Sequence, residues 1–390
     1  MNTRKYHRLL FMAVLILLIF SLLINFSGCE TRERVIKIGN QAALSGDYQV
    51  LGFDQTVSAS IAVSELSPVE IGGFTYKIDL VSKDDQGDPE KAFLVAQEMA
   101  EQDISAVIGS TFNGTTKVSI PVYQEYSIPL ITAYAQGDDL SGLGDNFFRM
   151  VISNQQKVEN IANVFINQLK PEKLILIDNR SEYSANLVDY LAQLLREQGI
   201  DITRRYSIDF STEGYEIIAE NLLLDKPDYI FACTEYDQLA SLITKAREAG
   251  IDSSFVTDEL AMDDQISVLA APEVLEGLTA IVSEPPSIAR FTEDKKAIDF
   301  WYKYTDYAET MDNELATEPG KYAPYAYDAV NIVIAAMKEA NSILPMDYMD
   351  ELKSISYDGV VGHIEFGDNG NRLDPASTLF KYTNETWVRY

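Results

Sequence analysis

Two sets of residues in this chain have the types and spacing to hold a small charged molecule. The first is Gly109-Ser110-Thr111-Phe112-Asn113-Gly114-Thr115-Thr116, which follows the apolar run Ala106-Val107-Ile108 and opens a helical pattern. Glycines and small hydroxyls there leave backbone N–H groups unobstructed at the positive end of a helix dipole. That is the chemistry of a carboxylate or other anion site, although Ser, Thr and Asn are also ordinary helix caps. The segment Ala133-Tyr134-Ala135-Gln136-Gly137, after Thr132, adds N–H donors, a side-chain amide at Gln136 and an aromatic wall at Tyr134. The second set is acidic and aromatic: Tyr183 beyond Ile177, Cys233, Glu235 and Tyr236 beyond Ala232, and Asp258 and Glu259 beyond Val256. A zwitterion held between the two sets would satisfy both, with its carboxylate on the donors and its ammonium on a carboxylate and ring faces. The competing reading of each acid is a solvated helix cap, the stronger one for Asp258 and level with the binding role for Glu235.

Catalysis would need an activated nucleophile, a tuned acid–base pair or a metal. Of the two histidines, His7 lies in the basic start of the chain and His363 in a Gly-His-Ile-Glu-Phe strand at a surface position. There is no Gly-x-Ser-x-Gly elbow, no phosphate loop and no His/Cys set with metal spacing. Gly142-Leu143-Gly144 lacks the rest of a dinucleotide fingerprint. Asp84, Asp85 and Asp88 do not fit a calcium loop and read as a strand-to-helix connection whose acids complement the helix dipole. The chain therefore reads as a binder, not an enzyme, with no catalytic residue, no metal and no cofactor.

Composition narrows the partners. The 390 residues are 46% hydrophobic and 11% aromatic, enough for large cores. Sixty acidic against 31 basic side chains leave a formal charge of −29, a field that repels nucleic acid. The imbalance is uneven. With Arg4, Lys5 and Arg8 set aside, 28 basic side chains face 60 acidic ones, a net of −32. Those three bases precede an unbroken apolar run, Leu9–Phe20, that extends to Phe26 with Ser21 and Asn25 interrupting. A basic start, an apolar middle and the small residues Ser27-Gly28 before Cys29 form a secretory signal over residues 1–28 of the lipoprotein kind. Phe26 stands where an aliphatic residue is usual. The alternative is an uncut signal anchor. Both place the remainder outside the cytoplasmic membrane and tether it there. With Cys29 as lipid anchor, Cys233 is left as a single thiol, with no partner for an internal disulfide.

The elements that must position the two sets follow from periodicity. Short apolar runs (Val35–Ile38, Phe74–Val81, Ala106–Ile108, Pro129–Thr132, Lys173–Ile177, Tyr206–Phe210, Tyr229–Ala232, Ser254–Val256) alternate with helical patterns. The helices are Gln55–Glu65, Pro89–Gln102, Thr115–Glu125, Tyr183–Gln198, Tyr215–Leu224 and Tyr236–Ala249. This alternation is the mark of parallel sheets covered on both faces. Two series, broken near Phe147–Asn154, predict an α/β protein of two doubly wound parallel-sheet lobes. Ligands of such sheets sit beyond the carboxyl ends of the strands, where both residue sets fall.

The blocks Ile36–Gly46 with Ala43-Leu44-Ser45-Gly46, Asp84-Asp85-Gln86-Gly87-Asp88-Pro89, Val107-Ile108-Gly109, Tyr322–Ala329, Gly359–Phe366 and Asp368-Asn369-Gly370 occur in the order of one family. Over Val35–Tyr390 the chain resembles type I periplasmic binding proteins, and within them the branched-chain amino-acid (leucine/isoleucine/valine) binding group of ABC importers. The resemblance implies a clamshell with three crossovers, near Ser153, Ser283 and Ser354. One lobe would comprise 35–153 plus 284–354 and the other 154–283 plus 355–390. It implies a solute receptor that closes on a small amino acid or amino-acid-like ligand and hands it to an ABC permease and ATPase. The alternatives are a clamshell sensor read by a membrane partner, or a receptor for an amide, urea-like or cationic solute. By the same resemblance Glu259 receives the ligand ammonium, Tyr183 closes over the ligand and Tyr322 supplies a ring. Asn113 stands for a usual Ser, Gln136 for a usual Thr, Glu235 for a usual Tyr and Leu51 for a frequent aromatic, while Phe112 and Tyr134 make the side-chain region bulky. The family disulfide has no counterpart.

Overall fold

A computed structural model describes residues 33–208, 211–263, 265–283, 294–311, 315, 317–373 and 377–389. The export segment 1–28 and the anchor Cys29 lie outside the described residues. Among those described, no helix is long and apolar enough to cross a membrane.

The first sheet holds β1 (Val35–Ala42), β2 (Val69–Ile71), β3 (Phe74–Asp84), β4 (Ala106–Ile108), β5 (Leu130–Thr132) and β6 (Phe147–Arg149), in the order β2-β3-β1-β4-β5-β6. β1, β4, β5 and β6 run parallel, and β2 pairs antiparallel with β3. Helices α1 (Gln49–Leu66), α2 (Pro89–Ala100) and α3 (Asn113–Glu125) connect them. The central strands are buried throughout, which is why they read as unbroken apolar runs.

The second sheet is built from β7 (Leu174–Asp178), β8 (Ile202–Ser207), β9 (Tyr229–Cys233), β10 (Ser254–Asp258) and β11 (Thr279–Val282), all parallel. Helices α4 (Asn154–Val164), α5 (Glu182–Glu197), α6 (Thr212–Asp225) and α7 (Tyr236–Glu248), with the single turns α8 (Ile266–Leu269) and α9 (Pro272–Leu275), belong to this part of the chain. Three further helices follow: α10 (Lys295–Thr310), α11 (Ala323–Glu339) and α12 (Pro345–Lys353). They return to the first sheet, where Val330, Ile334 and Met337 share a core with Ile36 and Ile38. A small hairpin comes next, β12 (Tyr357–Gly359) with β13 (Gly362–Ile364). The last strands, β14 (Thr378–Thr383) and β15 (Thr386–Arg389), close the second sheet antiparallel, in the order β15-β14-β11-β10-β9-β7-β8. Two α/β lobes joined by three passages of the chain are therefore present, with antiparallel edges on both sheets.

Three expectations are corrected. The strand predicted at Tyr206–Phe210 is β8, Ile202–Ser207: an edge strand, half-exposed and polar, leaves no apolar run to read. The break predicted near Phe147–Asn154 contains a sixth strand, β6, whose short aromatic stretch precedes the passage at Met150–Ser153. Residues 355–366 do not join the second lobe. Val361, Ile364 and Phe366 pack in the first core, with the Phe366 ring 5.1 Å from Phe148. The chain stays with the first sheet beyond Ser354 and past the hairpin, where Arg149 N–H of β6 donates to the Gly370 carbonyl (2.9 Å). There Arg372, 3% exposed, donates from Nη2 to the carbonyls of Val361 (2.8 Å) and His363 (2.6 Å). Its own carbonyl accepts from Gln156 Nε2 of α4 (2.8 Å). The Ser283 and Ser377 hydroxyls lie 3.2 Å apart, bringing the second and third passages side by side.

A buried polar scaffold holds the loops at the carboxyl end of the first sheet. Gln41 Nε2 donates to Asp85 Oδ2 (3.2 Å) and Ser119 Oγ (3.0 Å), and Tyr123 O–H donates to Gln41 Oε1 (2.8 Å). Asp85 also accepts from Ser110 Oγ (2.7 Å), pinning the donor loop, while Asp84 accepts from Leu44 N–H (2.8 Å). The three acids of this connection are structural, Asp88 capping α2 through Glu90 N–H (2.8 Å). Gln41, Asp85, Ser110 and Ser119 are buried, and each finds a partner there. The first turn of α1 lies against the same loops. A Cβ on Gly52 would come within 2.0 Å of the Ala43 carbonyl oxygen, a backbone atom that cannot yield without moving the turn. Gly52→Ala is therefore expected to cost about 1–3 kcal/mol through overpacking, read as a lower denaturant midpoint at unchanged slope. An unchanged midpoint would mean that α1 is free to shift.

Candidate functional site

The site is assembled where the carboxyl end of β10 meets the start of α4. β10 ends at Asp258, whose carboxylate accepts from Leu260 N–H (3.2 Å) and so caps the turn Glu259–Ala261. Asp258 is a cap but not a solvated one. It is fully buried, and Tyr183 O–H donates to its Oδ2 (3.0 Å), with the Cys233 thiol 3.8 Å away. Burial and the neighbouring Glu259 charge hold the Asp258 carboxyl above the ordinary carboxylate range.

Glu259 is already partnered. Lys157 Nζ lies 2.6 Å from Glu259 Oε1, with the two side chains 4% and 7% exposed. Lys321, in the segment before α11, approaches the same oxygen at 3.6 Å. Burial alone would raise the Glu259 pKa, but the two ammonium charges override it and hold the carboxyl below its usual range. Lys157 also donates to Tyr183 Oη (3.2 Å) and sits 5.3 Å from the centre of that ring. The Tyr183 hydroxyl thus accepts from the lysine and donates to Asp258, and burial beside that acid pushes its pKa well up.

Lys321 carries the connection to the first lobe. Its ammonium lies 5.2 Å from the Tyr322 ring centre, Tyr322 packs at 5.1 Å on Tyr134, and Tyr134 O–H donates to Asp54 Oδ2 of α1 (3.0 Å). Asp54 in turn accepts from Gly320 N–H (3.1 Å), which fixes the backbone presenting Lys321. On the Lys157 and Tyr183 side a cavity of about 720 Å³ opens between the lobes. Asn113 and Asp138 line it from one side and Lys157, Tyr183, Asn186 and Tyr190 from the other. Its size suits a small organic ligand, and its lining residues are mainly polar, with the acids Asp138 and Glu182, several amides and Lys157 beside the rings of Tyr183 and Tyr190.

Of the residues singled out from sequence, Asn113 and Tyr183 line this cavity. Tyr134 and Tyr322 are stacked together, and Glu259 reaches Tyr183 through Lys157. Asn113 Oδ1 accepts from Gly137 N–H (2.9 Å), joining the two donor loops, and the Gln136 carbonyl accepts from Asn154 N–H at the start of α4 (3.0 Å), joining the second of them to the other lobe's first helix. Phe112 is half-buried and packs edge-on to Tyr48, centroids 4.8 Å apart. Glu235 stands exposed before α7, its N–H bonded to Gln238 Oε1 (3.1 Å), and no contact among the described residues joins it to the Lys157–Glu259 pair. Lys157 and Lys321 were missed. The signals were present: a lysine in the first turn of a helix opposes the dipole and needs a reason, and Lys321 adjoins a tyrosine already singled out.

Comparison with known proteins identifies the family and the fold. A family model described as periplasmic binding protein matches residues 35–386. The Leu/Ile/Val-binding protein of Escherichia coli K12 is 21% identical over 338 residues, covering 86% of this chain and 88% of that protein. Among solved structures, the branched-chain amino acid transporter substrate-binding protein LivJ from Streptococcus pneumoniae, in complex with isoleucine, is similar at 22% identity with a TM-score of 0.62, over 92% of this chain and 99% of that one. An ABC transporter solute-binding protein from R. palustris in complex with benzoate is similar at 16% identity with a TM-score of 0.64, over 91% and 95%. At these identities the structural likeness is one of fold.

The ion pair sets a stability prediction. Glu259, held below its ordinary 4.5, stabilises the folded state above that pH, and the contribution is lost as pH falls through the lowered value. Asp258, held above its ordinary 3.8, acts oppositely: its contribution is present below 3.8 and lost as pH rises through the raised value. Glu259→Gln removes the charge facing a buried lysine and is expected to cost about 3–5 kcal/mol. It should also flatten the acid limb of the stability–pH curve below about pH 4.5. Chemical denaturation across pH checks both, and a variant of wild-type stability at pH 7 would mean that Lys157 finds its counter-charge elsewhere.

Proposed function

The chain belongs to the periplasmic binding protein family, and on that premise we propose that it is an extracytoplasmic receptor that captures a small amino acid or amino-acid-like acid and delivers it to an ABC importer. The observation that carries the reading is that one cavity of about 720 Å³ is lined from both sheets' helices, Asn113 and Asp138 facing Lys157, Tyr183, Asn186 and Tyr190. A ligand held there touches both lobes. Binding free energy made on both faces favours the closed arrangement over an open one, which is how lobe closure is driven. The three passages near Met150–Ser153, Ser283 and Arg372 are the hinge of this motion, the lobes being 35–149 with 294–366 and 154–282 with 377–389. Asn113 and Tyr183 form the ligand face, Tyr134, Gln136, Glu259 and Tyr322 support it, Phe112 adjoins the donor loop, and Glu235 stays exposed outside it. Among the similar solved proteins one holds isoleucine and another benzoate, which supports a small acid as the class of ligand. An ABC permease and ATPase would be the partners, with the receptor tethered through a lipid on Cys29.

A melting screen of the chain lacking residues 1–29 against amino acids and their acid analogues tests the reading. A ligand at about 100 times its dissociation constant adds about 2.7 kcal/mol of stability, and a panel in which nothing shifts the melt would overturn it. Tethering is tested separately. Cys29→Ser is expected to move the protein from the membrane to the soluble fraction of expressing cells, whereas a variant that stays membrane-bound would favour an uncut signal anchor.

A further inference from the structure

The two contacts that a ligand ammonium would make in this site are a carboxylate and a ring face. Both are made by the protein itself. Lys157 Nζ lies 2.6 Å from Glu259 Oε1 and 5.3 Å from the centre of the Tyr183 ring. The Glu259 side chain is 7% exposed, and both its carboxylate oxygens are buried without a hydrogen bond among the described residues, so that charge contact with lysine is what compensates them. Lys321, from the other lobe, adds a second ammonium 3.6 Å from Oε1. An incoming ammonium would meet two like charges and an acid already neutralised, in a place where burial strengthens the repulsion.

We propose that Lys157 is a built-in substitute for the ligand ammonium, so that the receptor selects a carboxylate carrying no amino group, such as a 2-oxo acid or simple carboxylic acid with an apolar side chain. The inference rests on the receptor reading above and narrows its ligand. Lys157 acts as a specificity determinant: it occupies the acceptor that an amino acid needs, and it leaves the neutral donors around Asn113 for a carboxylate.

Titration calorimetry with matched pairs tests this on the wild-type chain lacking residues 1–29. The probes are L-leucine against 4-methyl-2-oxopentanoate and L-phenylalanine against phenylpyruvate. The oxo acid of at least one pair is expected to bind ten-fold or more tightly than its amino acid. Equal or tighter binding of the amino acid in the pairs that bind overturns the inference while leaving the receptor reading standing. If no member of either pair binds, the inference fails too, and the wider melting screen then decides the receptor reading. Lys157→Met, which frees Glu259, is expected to move the preference at least ten-fold toward the amino acid. An unmoved ratio in a folded variant overturns the assignment of Lys157. Because that variant uncovers two buried acids, Lys321→Met, at a more exposed position, is measured alongside and should move the ratio in the same direction by a smaller factor.

Discussion

The ion pair between Lys157 and Glu259 is the constraint around which the site is arranged. Two opposite charges at 2.6 Å, each nearly shut off from water, lose hydration that their attraction offsets only when the remaining hydrogen-bonding capacity is used. The Tyr183 hydroxyl supplies that use on the lysine side only, accepting from Lys157 and donating to Asp258, while the Glu259 oxygens are left to the two lysine charges. The arrangement ties the first turn of α4 to the start of α5 and the end of β10, three segments apart in sequence. It also explains why the amino end of α4 tolerates a lysine. The unfavourable dipole at that position is small beside a direct carboxylate partner.

The same acid couples the lobes. Lys321 belongs by packing to the part of the chain that returns to the first sheet, while Glu259 belongs to the second, so their 3.6 Å approach spans the boundary. Around it the backbone is held on one side by Asp54, which receives both Tyr134 O–H and Gly320 N–H, and on the other by the capped turn at Asp258. The passages of chain between lobes are stapled by Arg372 and Gln156, whose bonds are to backbone carbonyls and persist under small rotations of the side chains. Rigid ends joined at such a boundary move as bodies, with the change confined to the few residues between them.

Much of this architecture was legible in the chain because buried parallel strands leave an unmistakable pattern. Ala106–Ile108 and Tyr229–Cys233 carry apolar residues on both faces because helices cover both. Legibility failed where burial is one-sided. β8, with Thr203, Arg204 and Arg205 in its middle, borders the sheet and shows no apolar run, and the hairpin β12–β13 carries too few residues to reveal which core it covers. The candidate site divides the same way. Tyr183, Asn113 and Glu259 lie at strand ends or helix starts, where a topological rule points. Lys157 and Lys321 escape it because their importance lies in what they face across the chain, and spacing along one segment carries no record of that.

Polar residues inside this protein do two different kinds of work, and their chemistry separates them. In the scaffold behind the first sheet, Gln41, Gln55, Ser110 and Asp85 bond to one another or to backbone, each donor matched by an acceptor across neighbouring loops. Such a network fixes geometry and is indifferent to what the cleft contains. At the lobe boundary the groups are ionised, drawn from both lobes, and balanced against each other by charge. Replacing one of them changes which charge a ligand must bring without disturbing the strands beneath. A fold that keeps its neutral network constant and varies its ionised boundary can hold solutes of different charge on one frame, because specificity lies in the side chains grafted at the strand ends. In this chain the ionised boundary is a lysine on an acid, and among the described residues the neutral network beneath the first sheet makes no bond to either of them.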